Sequence, residues 1–587
     1  MFKYLSEVFY LLDNKQHRKL PMLIVFFLGL SILDLVGIGL IGPYVSLVLD
    51  SSEIDGILGR LVEALGLPSE RESLLISLGL MLVSVFFIKM ILAIWINWKI
   101  IHFSQQQQLY LRSFLMHAYQ SLPYNEYLLR NSSEYVFSIL ELSGRVQACT
   151  LSLLRIISNG FVLLMIIGLL AFQNILALSL LIGMFGVAIF SYDRIFRQKV
   201  QVLGKKANSS FTLMGQGVNE GIEGLKEIRI LGGEKYFFQI VLNAARNLAY
   251  YQTQGQVISS APRFLLELLL ITFITILVIG SLYIGHDLQA LVPTLAIFGV
   301  ASLRILPILN QFSTGLASLR YDRDSVSRLY KEMIKFQKTS NNVSNQVNVL
   351  KKQPFHNLVL DRVSFRYPNT TYDSLKHISL KISAGESIGL IGPTGSGKTT
   401  LVDLLLGLLT PNEGEVSYNE RPMSNSLASW RSNVAYIPQQ VFLIDNTLRC
   451  NVALGQNIDE IDDSKVYEAL KKASLLKFVD QLQQGINTVI GERGMRLSGG
   501  QRQRVALARA FYHGCNVLVM DEATSALDNE TESVIVDEIK QLKGEKTMIV
   551  IAHRLTTVQH CDRIYILNDG KIIKYGAPHE VLNYYNK

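Results

Sequence analysis

Long apolar segments constrain this chain of 587 residues more than any other feature of its sequence. A helix that crosses the hydrocarbon core of a bilayer needs about 20 predominantly apolar residues. Six segments meet this requirement, at 21–49, 73–100, 151–172, 176–191, 257–284 and 290–309. The first is too long for the core of a signal peptide and has no small-residue cleavage site, so it is predicted to be a retained spanning helix.

The loops between these segments predict their orientation. The loop at 50–72 carries six acidic residues against two arginines, whereas the segment 193–256 is rich in Lys and Arg. Lys and Arg concentrate in cytoplasmic loops, so the first loop is predicted outside and the second inside. An even number of spans then places both ends of the chain in the cytoplasm. Apolar residues at helical spacing in the outer loop are consistent with a short amphipathic helix, either on the membrane surface or packed on its own subunit.

Composition agrees with a membrane protein. Hydrophobic residues make up 49% of the chain and charged residues 18%. The net charge of +8 comes from Lys and Arg scattered over cytoplasmic segments, without a basic stripe interleaved with aromatics, so no nucleic-acid partner is expected. The four cysteines lie far apart without a CxxC pair, which supports neither a disulfide framework nor a zinc site.

After residue 350 the pattern becomes that of a globular domain, which contains a P-loop. Residues 386–400 read ESIGLIGPTGSGKTT, an apolar strand followed by a glycine-rich loop and a helical pattern. Glycines let backbone N–H groups close around phosphate oxygens, Lys398 brings a positive charge to the outer phosphates, and the Thr399 hydroxyl can bind Mg²⁺. ATP and Mg²⁺ are therefore the predicted cofactors. The predicted nucleotide contacts in this loop are Gly392, Pro393, Thr394, Gly395, Ser396, Gly397, Lys398, Thr399 and Thr400.

Two acidic residues follow a second apolar strand in the sequence NVLVMDEATSALD, 516–528. Asp521 is predicted to hold Mg²⁺ directly or through water, and Glu522 to polarise the attacking water. Paired acids at a strand end often only cap a helix, but a P-loop in the same domain favours the catalytic interpretation. His553 follows the strand MIVIA in a position suited to sensing the terminal phosphate, although such a His alone is more often structural.

The sequence LSGGQ at 497–501 resembles the signature of ABC nucleotide-binding domains, and the domain is identified as a member of that family. The resemblance implies that Tyr367 stacks on adenine, that Gln439 lies near Mg²⁺ and the attacking water, and that 525–528 forms a loop at a dimer seam. It also implies that the signature of one domain completes the P-loop site of another. The implied signature contacts are Ser498, Gly499, Gly500 and Gln501. One chain holds one of each element, so a homodimer is expected.

Six spans before one such domain resemble the ABC exporter half-transporter over nearly the whole chain. The predicted fold class is a membrane α-helical part with six transmembrane helices, followed by an α/β P-loop nucleotide-binding domain. The predicted domains are a transmembrane domain at 1–330 with long cytoplasmic extensions, a polar linker at 331–353 and the nucleotide-binding domain at 354–587. Segments 123–136 and 220–237 resemble the cytoplasmic coupling regions of this family.

Ionisable residues inside spans are costly and usually face a cavity or a partner. Those found here are Asp34, Lys89, Arg155, Arg263, Glu267 and Arg304. Arg263 and Glu267 can pair at i,i+4 spacing, and Asp34 can neutralise Lys89. Arg155 and Arg304 have no obvious local partner, and Arg suits bidentate phosphate contacts. Lys89, Arg155, Arg263 and Arg304 are therefore candidate contacts for an anionic, phosphorylated cargo.

The sequence RNSSE at 130–134, the acidic outer loop and the basic residues within spans are similar to PglK-type flippases. This resemblance implies a multi-pass protein of the bacterial inner membrane, with its nucleotide-binding domain in the cytoplasm. It further implies ATP-driven movement of a polyprenyl-diphosphate-linked oligosaccharide to the outer leaflet. An exporter of another amphipathic lipid, such as a lipid A-like molecule, or of drugs remains an alternative. An ABC-type channel or regulator, the alternative of a different class, would be expected to lack a catalytic element, whereas Glu522, His553 and LSGGQ are all present.

Overall fold

A computed structural model of the chain describes residues 2–49, 71–173, 175–284, 288–343, 353–368, 370–521, 540–552 and 554–585. The chain forms two compact units. Unit 1 comprises Met1–Ser121 and Arg130–Thr339, and unit 2 comprises Leu122–Leu129 and Ser340–Lys587. The short segment Leu122–Leu129, although it lies between helices of unit 1 in the sequence, therefore groups with unit 2.

The described residues of unit 1 form helices joined by short turns, with no β-strand among them. Its α-helices are α1 Phe2–Tyr10, α2 Asn14–His17, α3 Leu20–Leu49, α4 Arg71–Gln120, α6 Ser132–Phe137, α7 Ser143–Gln173, α8 Ile175–Glu223, α9 Leu225–Leu231, α10 Glu234–Ile284, α11 Leu288–Tyr321 and α12 Arg323–Val343, while α5 Tyr124–Tyr127 belongs to unit 2. A π-helical turn, Ser138–Leu142, joins α6 to α7. Helix α12 reaches Val343, so the first part of the predicted linker is helical.

Five helical stretches in the described part are long and apolar enough to cross a membrane: Asn14–Ile41, Glu72–Gln120, Ser132–Phe172, Ile175–Glu223 and Glu234–Ile279. Each of them overlaps one of the first five predicted spans. The sixth, 290–309, lies within α11, which is helical over that whole segment but is not among the five. Helix α4 has 50 residues and is about 75 Å long, more than twice the bilayer core. The predicted extension of helices beyond the bilayer follows from this length.

Apolar side chains cover the outside of the helix bundle, as contact with lipid requires, and they also fill its interior. Only 17–33% of the most apolar stretch of each spanning helix is buried, and outward residues such as Leu164 and Phe190 are exposed. Inside, Ile166, Phe273 and Phe298 belong to one buried cluster that joins α7, α8, α10 and α11. The predicted outer loop at 50–70 lies outside the described residues, so its amphipathic helix stays a prediction.

The strands in the described residues of unit 2 form two sheets. Its strands are β1 Asn357–Phe365, β2 Leu375–Ser383, β3 Ser387–Ile391, β4 Glu413–Tyr418, β5 Arg421–Pro422, β6 Val434–Ile437, β7 Val517–Asp521, β8 Thr547–Ile551, β9 Arg563–Asn568 and β10 Lys571–Gly576. One sheet has the order β2-β1-β4-β5 and the other β10-β9-β3-β8-β7-β6. Strands β9, β3, β8, β7 and β6 run parallel. The continuous apolar sequences SIGLI and TMIVI form fully buried strands β3 and β8, as central parallel strands do.

Helices cover the parallel sheet of unit 2. They are α13 Lys398–Leu405, α14 Met423–Arg431, α15 Leu448–Val452, α16 Asp463–Lys472, α17 Leu476–Asp480, α18 Gly499–Tyr512, α19 Leu555–Val558 and α20 Pro578–Tyr585. The P-loop helix α13 belongs to one buried core cluster and the signature helix α18 to another. Because the strands are parallel, their carboxyl ends meet at one edge of the sheet, where ligands of such folds bind.

Candidate functional site

The predicted P-loop follows buried strand β3 and ends at α13, which begins at Lys398. Gly392, Gly395 and Gly397 all have positive φ angles of 153°, 81° and 100°. At Gly392 an added β-carbon would lie 2.1 Å from the carbonyl oxygen of Leu567 on β9. The loop can therefore follow this path only with glycine at position 392.

We expect Gly392→Ala to lower ATP affinity by at least about tenfold and to destabilise unit 2 by about 1–3 kcal/mol, because the loop must move away from Leu567. The matched control is Gly455→Ala, which lies outside the P-loop, where φ is also positive but no atom lies within 4 Å of the added carbon. Equilibrium ATP titration and thermal unfolding of both variants check this. Equal ATP affinity for Gly392→Ala and the unmodified protein would contradict it.

Two side chains of the loop are positioned to bind phosphate. The Lys398 ammonium donates to the carbonyl oxygens of Gly392 and Pro393, both at 2.9 Å, so it lies over the loop. The Ser396 hydroxyl is buried and has no hydrogen-bond partner within the described residues. A buried donor without a partner costs free energy, and a phosphate oxygen would supply the missing acceptor. These residues fit a nucleotide phosphate chain.

Tyr367 lies beside the start of the P-loop helix. Its hydroxyl is 3.3 Å from the Thr400 hydroxyl, and its ring packs edge-on against Phe365 with 5.0 Å between centroids. This places an aromatic face next to the loop that is predicted to hold ATP. The geometry fits the adenine-stacking role, which stays a prediction.

Asp521 ends β7, at the same sheet edge as the P-loop. The Tyr436 hydroxyl on β6 donates to Asp521 Oδ2 at 3.1 Å. Burial, and then the Asp521 charge, raise the pKa of this tyrosine above its ordinary range, so Tyr436 stays a protonated donor. Gln439 follows β6 and reaches the same edge, because β6 and β7 are parallel neighbours. The predicted magnesium ligands Thr399, Gln439 and Asp521 thus all lie on elements that end at this edge, and an oxygen-rich set of this kind suits Mg²⁺.

A second carboxylate, Asp403, was missed by the sequence analysis. It lies on α13, and burial together with the Asp521 carboxylate raises the pKa of Asp403 to about 6. Its only sequence signal is that it is the single acid in the apolar helix KTTLVDLL. Tyr436 was missed too, because a tyrosine in a strand carries no signal by itself. Asp403 adds a second carboxylate near the predicted metal ligand Asp521, and Tyr436 adds a hydrogen-bond donor to it.

The signature sequence caps α18. The Ser498 hydroxyl accepts from the Gln501 backbone N–H at 3.3 Å, and the Ser498 N–H donates to Gln501 Oε1 at 2.8 Å, which forms a capping box. Gly499 and Gly500 form the first turn, whose free N–H groups attract an anion. Further along the helix, Arg509 donates to the carbonyl oxygens of Phe442 and Asn451 and so ties α18 to the segment after Gln439.

Three predicted functional positions lie outside the described residues: Glu522, His553 and the loop 525–528. Their roles therefore stay predictions. The strands that precede Glu522 and His553 are β7 and β8, which are adjacent and parallel. The carboxyl ends of both strands lie at the sheet edge that carries the P-loop.

Part of the first predicted coupling region belongs to unit 2. Tyr124 in α5 packs against the core cluster that contains the P-loop helix, and Asp403 and Tyr367 are charged or ionisable neighbours of its hydroxyl. Burial raises the pKa of Tyr124. The segment Leu122–Leu129 therefore contacts the side of the nucleotide-binding unit that carries the predicted adenine contact.

Charged residues of the membrane helices form an ion triad of Asp34, Lys89 and Arg304. The Lys89 ammonium contacts Asp34 Oδ1, and Arg304 Nη2 lies 3.1 Å from both Asp34 oxygens. The sequence shows no local partner for Arg304, and the structure gives it a partner on a distant helix. The sequence could not reveal the pair because Asp34 lies 270 positions away in the chain.

The other candidate cargo contacts behave differently. Arg263 donates from Nε to Glu267 Oε1 at 2.9 Å, the i,i+4 pair that the spacing allowed, and both side chains are exposed. Arg155 lies exposed on α7, and it has no ion-pair partner in the part of the chain that the structure describes. The structure thus joins Lys89 and Arg304 through Asp34 and leaves Arg155 and Arg263 apart from that triad.

Comparison with known proteins shows which family the chain belongs to. The ABC transporter family profile matches residues 375–525. An ATP-dependent lipid A-core flippase from Saccharophagus degradans is 30% identical over 473 residues, which cover 79% of this chain and 77% of that protein. The chain therefore belongs to the ABC transporter family, whose members couple ATP hydrolysis to transport, as the signature sequence predicted.

An ATP-dependent lipid A-core flippase from Cupriavidus pinatubonensis is 35% identical over 376 residues, covering 62% of this chain. The match spans 61% of that relative's length. The solved structure of a bacterial Atm1-family ABC exporter with ATP bound superposes with a TM-score of 0.75, at 21% identity and 97% coverage of both chains. This likeness concerns the fold alone, and it confirms the predicted fold class of helical exporter part and α/β P-loop domain.

Proposed function

We propose that this protein is an ATP-driven flippase that moves a phosphorylated amphipathic lipid from the cytoplasmic to the outer leaflet of the bacterial inner membrane. The ion triad carries this proposal. Lys89 and Arg304 share one carboxylate, so a positive charge is left over inside the membrane helices, where an anion is needed to neutralise it. The two relatives named as lipid A-core flippases support a lipid cargo.

Two phosphorylated cargoes are candidates. The names of the relatives favour a lipid A-like molecule. A polyprenyl-diphosphate-linked oligosaccharide, favoured by the RNSSE segment and the acidic outer loop, is the second candidate. Both present phosphate to Arg304 and both differ from a neutral or cationic drug, which would leave the triad's charge uncompensated.

The nucleotide-binding unit supplies the driving reaction in this proposal. Tyr367 stacks on adenine, the loop 392–400 encloses the phosphates, and Thr399, Gln439 and Asp521 hold Mg²⁺, which neutralises the phosphate charge when bound. Glu522 polarises the attacking water, and His553 contacts the terminal phosphate. Tyr436 fixes one oxygen of Asp521 and so orients that carboxylate.

A homodimer is part of the proposal. The resemblance to ABC nucleotide-binding domains implies that the signature of one chain completes the P-loop site of another, and each chain holds one of each element. Unit 1 also exposes apolar side chains near α9, with Ile230 at 77% and Leu231 at 82% exposure. Such a patch on a soluble extension fits a protein partner.

Crosslinking tests the dimer. Ser396 is 2% exposed, so the exposed neighbour Thr394 is the better position for a cysteine. We expect Thr394→Cys with Ser498→Cys to give intersubunit dimers that increase several-fold with ATP when hydrolysis is blocked. All four native cysteines are buried, so the parental protein and each single variant serve as background controls. Links confined to single chains would contradict the shared site.

Cargo is tested with purified protein in lipid nanodiscs. We expect lipid A or undecaprenyl-diphosphate-linked oligosaccharide to stimulate ATP hydrolysis, and the stimulating lipid to change leaflets only with ATP. Phosphatidylcholine and a cationic drug serve as comparisons. Stimulation by the neutral or cationic compounds alone would overturn the proposed cargo class, and leaflet exchange or ion flux without hydrolysis would favour a channel or regulator.

A further inference from the structure

We propose that Asp34 is an internal counter-ion that competes with the cargo's phosphate for Arg304, and that this competition sets how tightly the cargo is held and how readily it leaves. The inference rests on the proposed function and adds the residue that determines affinity at the same site. Arg304 is paired with Asp34, so a cargo phosphate can bind this arginine only by displacing the Asp34 carboxylate.

The three members of the triad come from helices α3, α4 and α11 and differ in access. The Asp34 side chain is 0% exposed, Lys89 is 10% exposed and Arg304 is 44% exposed. Asp34 lies 13 residues into the first predicted span, about 20 Å along the helix from position 21. A cargo anion at this depth can therefore reach Arg304 but neither of the other two side chains.

Lys89 is held in place, so it stays with Asp34. Its ammonium lies 4.9 Å from the centroid of the Phe86 ring. That ring packs against Gly37 of α3, where an added β-carbon would be 3.1 Å from it. Close packing of α3 on α4 one turn from Asp34 thus fixes the Asp34–Lys89 pair and leaves Arg304 as the exchangeable member.

Charge balance gives the direction of the exchange. Two cations and one carboxylate leave a surplus of one positive charge in a segment where an unpaired charge is costly. When a phosphate oxygen takes over Arg304, both resulting pairs, Arg304 with phosphate and Lys89 with Asp34, are neutral. Arg is suited to this because its guanidinium binds carboxylate and phosphate with the same geometry. When Arg304 returns to Asp34, the phosphate loses its partner and the cargo is released.

A triad with only a structural role predicts the opposite result. Removal of Asp34 would then loosen the three helices and weaken cargo binding. Competition predicts that removal of Asp34 strengthens binding, because the phosphate no longer has to displace a carboxylate.

The test is Asp34→Asn in the full-length protein in nanodiscs without nucleotide, with lipid A and undecaprenyl diphosphate as probes. We expect the dissociation constant of the probe that binds the unmodified protein to fall about tenfold, a shift typical of a close charge pair, and the maximal rate of ATP-driven flipping to fall as release slows. Asp34→Glu keeps the carboxylate and should restore the parental constant. Glu468→Gln, which removes a carboxylate from the exposed pair with Lys472 in unit 2, is the matched control and should change the constant less than about twofold.

A second variant tests the competition if Asp34→Asn alone does not fold. Asp34→Asn combined with Lys89→Met removes one charge of each sign, leaves no unpaired buried lysine and still frees Arg304, so it should show the same tighter binding. Unchanged or weaker binding in every folded variant, while the unmodified protein binds and flips the probe, would overturn the competition alone. An unmodified protein that binds and flips neither probe would overturn the proposed function, and this inference with it.

Discussion

Glu522→Gln is expected to bind ATP with parental affinity and to hydrolyse it more slowly by a factor of about 100 to 10,000, the usual contribution of a positioned general base. The amide keeps the shape of the carboxylate but cannot accept a proton from water. Asp521 ends the preceding strand and is fixed by Tyr436, so the predicted magnesium site should survive the change. ATP binding by equilibrium titration and single-turnover hydrolysis by purified protein are the measurements.

The control for this variant is Glu468→Gln on α16. Glu468 is exposed and pairs with Lys472 at 2.7 Å, so its loss should leave hydrolysis within about twofold of the parental rate. Slow hydrolysis should also prolong the ATP-bound dimer, so the Thr394–Ser498 crosslink should rise in the Glu522→Gln background. Near-parental turnover of Glu522→Gln would assign the role to another residue.

Arg263→Ala combined with Arg304→Ala is expected to reduce transport of the phosphorylated lipid by at least about tenfold, with basal ATP hydrolysis changed by less than about twofold. Loss of Arg304 leaves Asp34 with Lys89 as a neutral pair. No charge of the triad is then unpaired, and the surplus positive charge disappears. Loss of Arg263 leaves the Glu267 carboxylate without its partner inside a predicted span, so some loss of stability is expected. Leaflet exchange in proteoliposomes and ATP hydrolysis are measured on the same preparations.

The matched control for this pair is Arg246→Ala, an exposed arginine on α10, the helix that also carries Arg263, but outside the predicted span 257–284. Each single variant shows which arginine is responsible, and thermal unfolding reports any loss of stability. A stable double variant that flips the lipid at the parental rate would remove the argument for phosphate contacts in the membrane helices.

The sequence by itself determined the local structures of the nucleotide site. A glycine-rich loop between an apolar strand and a helix needs only neighbouring residues to form, and Ser498 and Gln501 cap their helix across three positions. The spanning helices could also be predicted from the sequence, because each needs only its own apolar length. Such features depend on contacts a few residues apart, and the order of residues specifies those contacts directly.

Only the tertiary structure decided which distant side chains meet. Asp34 is shared by Lys89 and Arg304, and Tyr436 binds Asp521. Burial and then the nearby Asp521 charge raise the pKa of Asp403 to about 6. Each of these contacts joins separate helices or strands, and no periodicity in the sequence records how those elements pack. Arg304 therefore looked unpaired in the sequence, although helix packing brings it to a carboxylate near the start of the chain. The physical reason is that charge pairing depends on distance in space, which only the assembled helices fix.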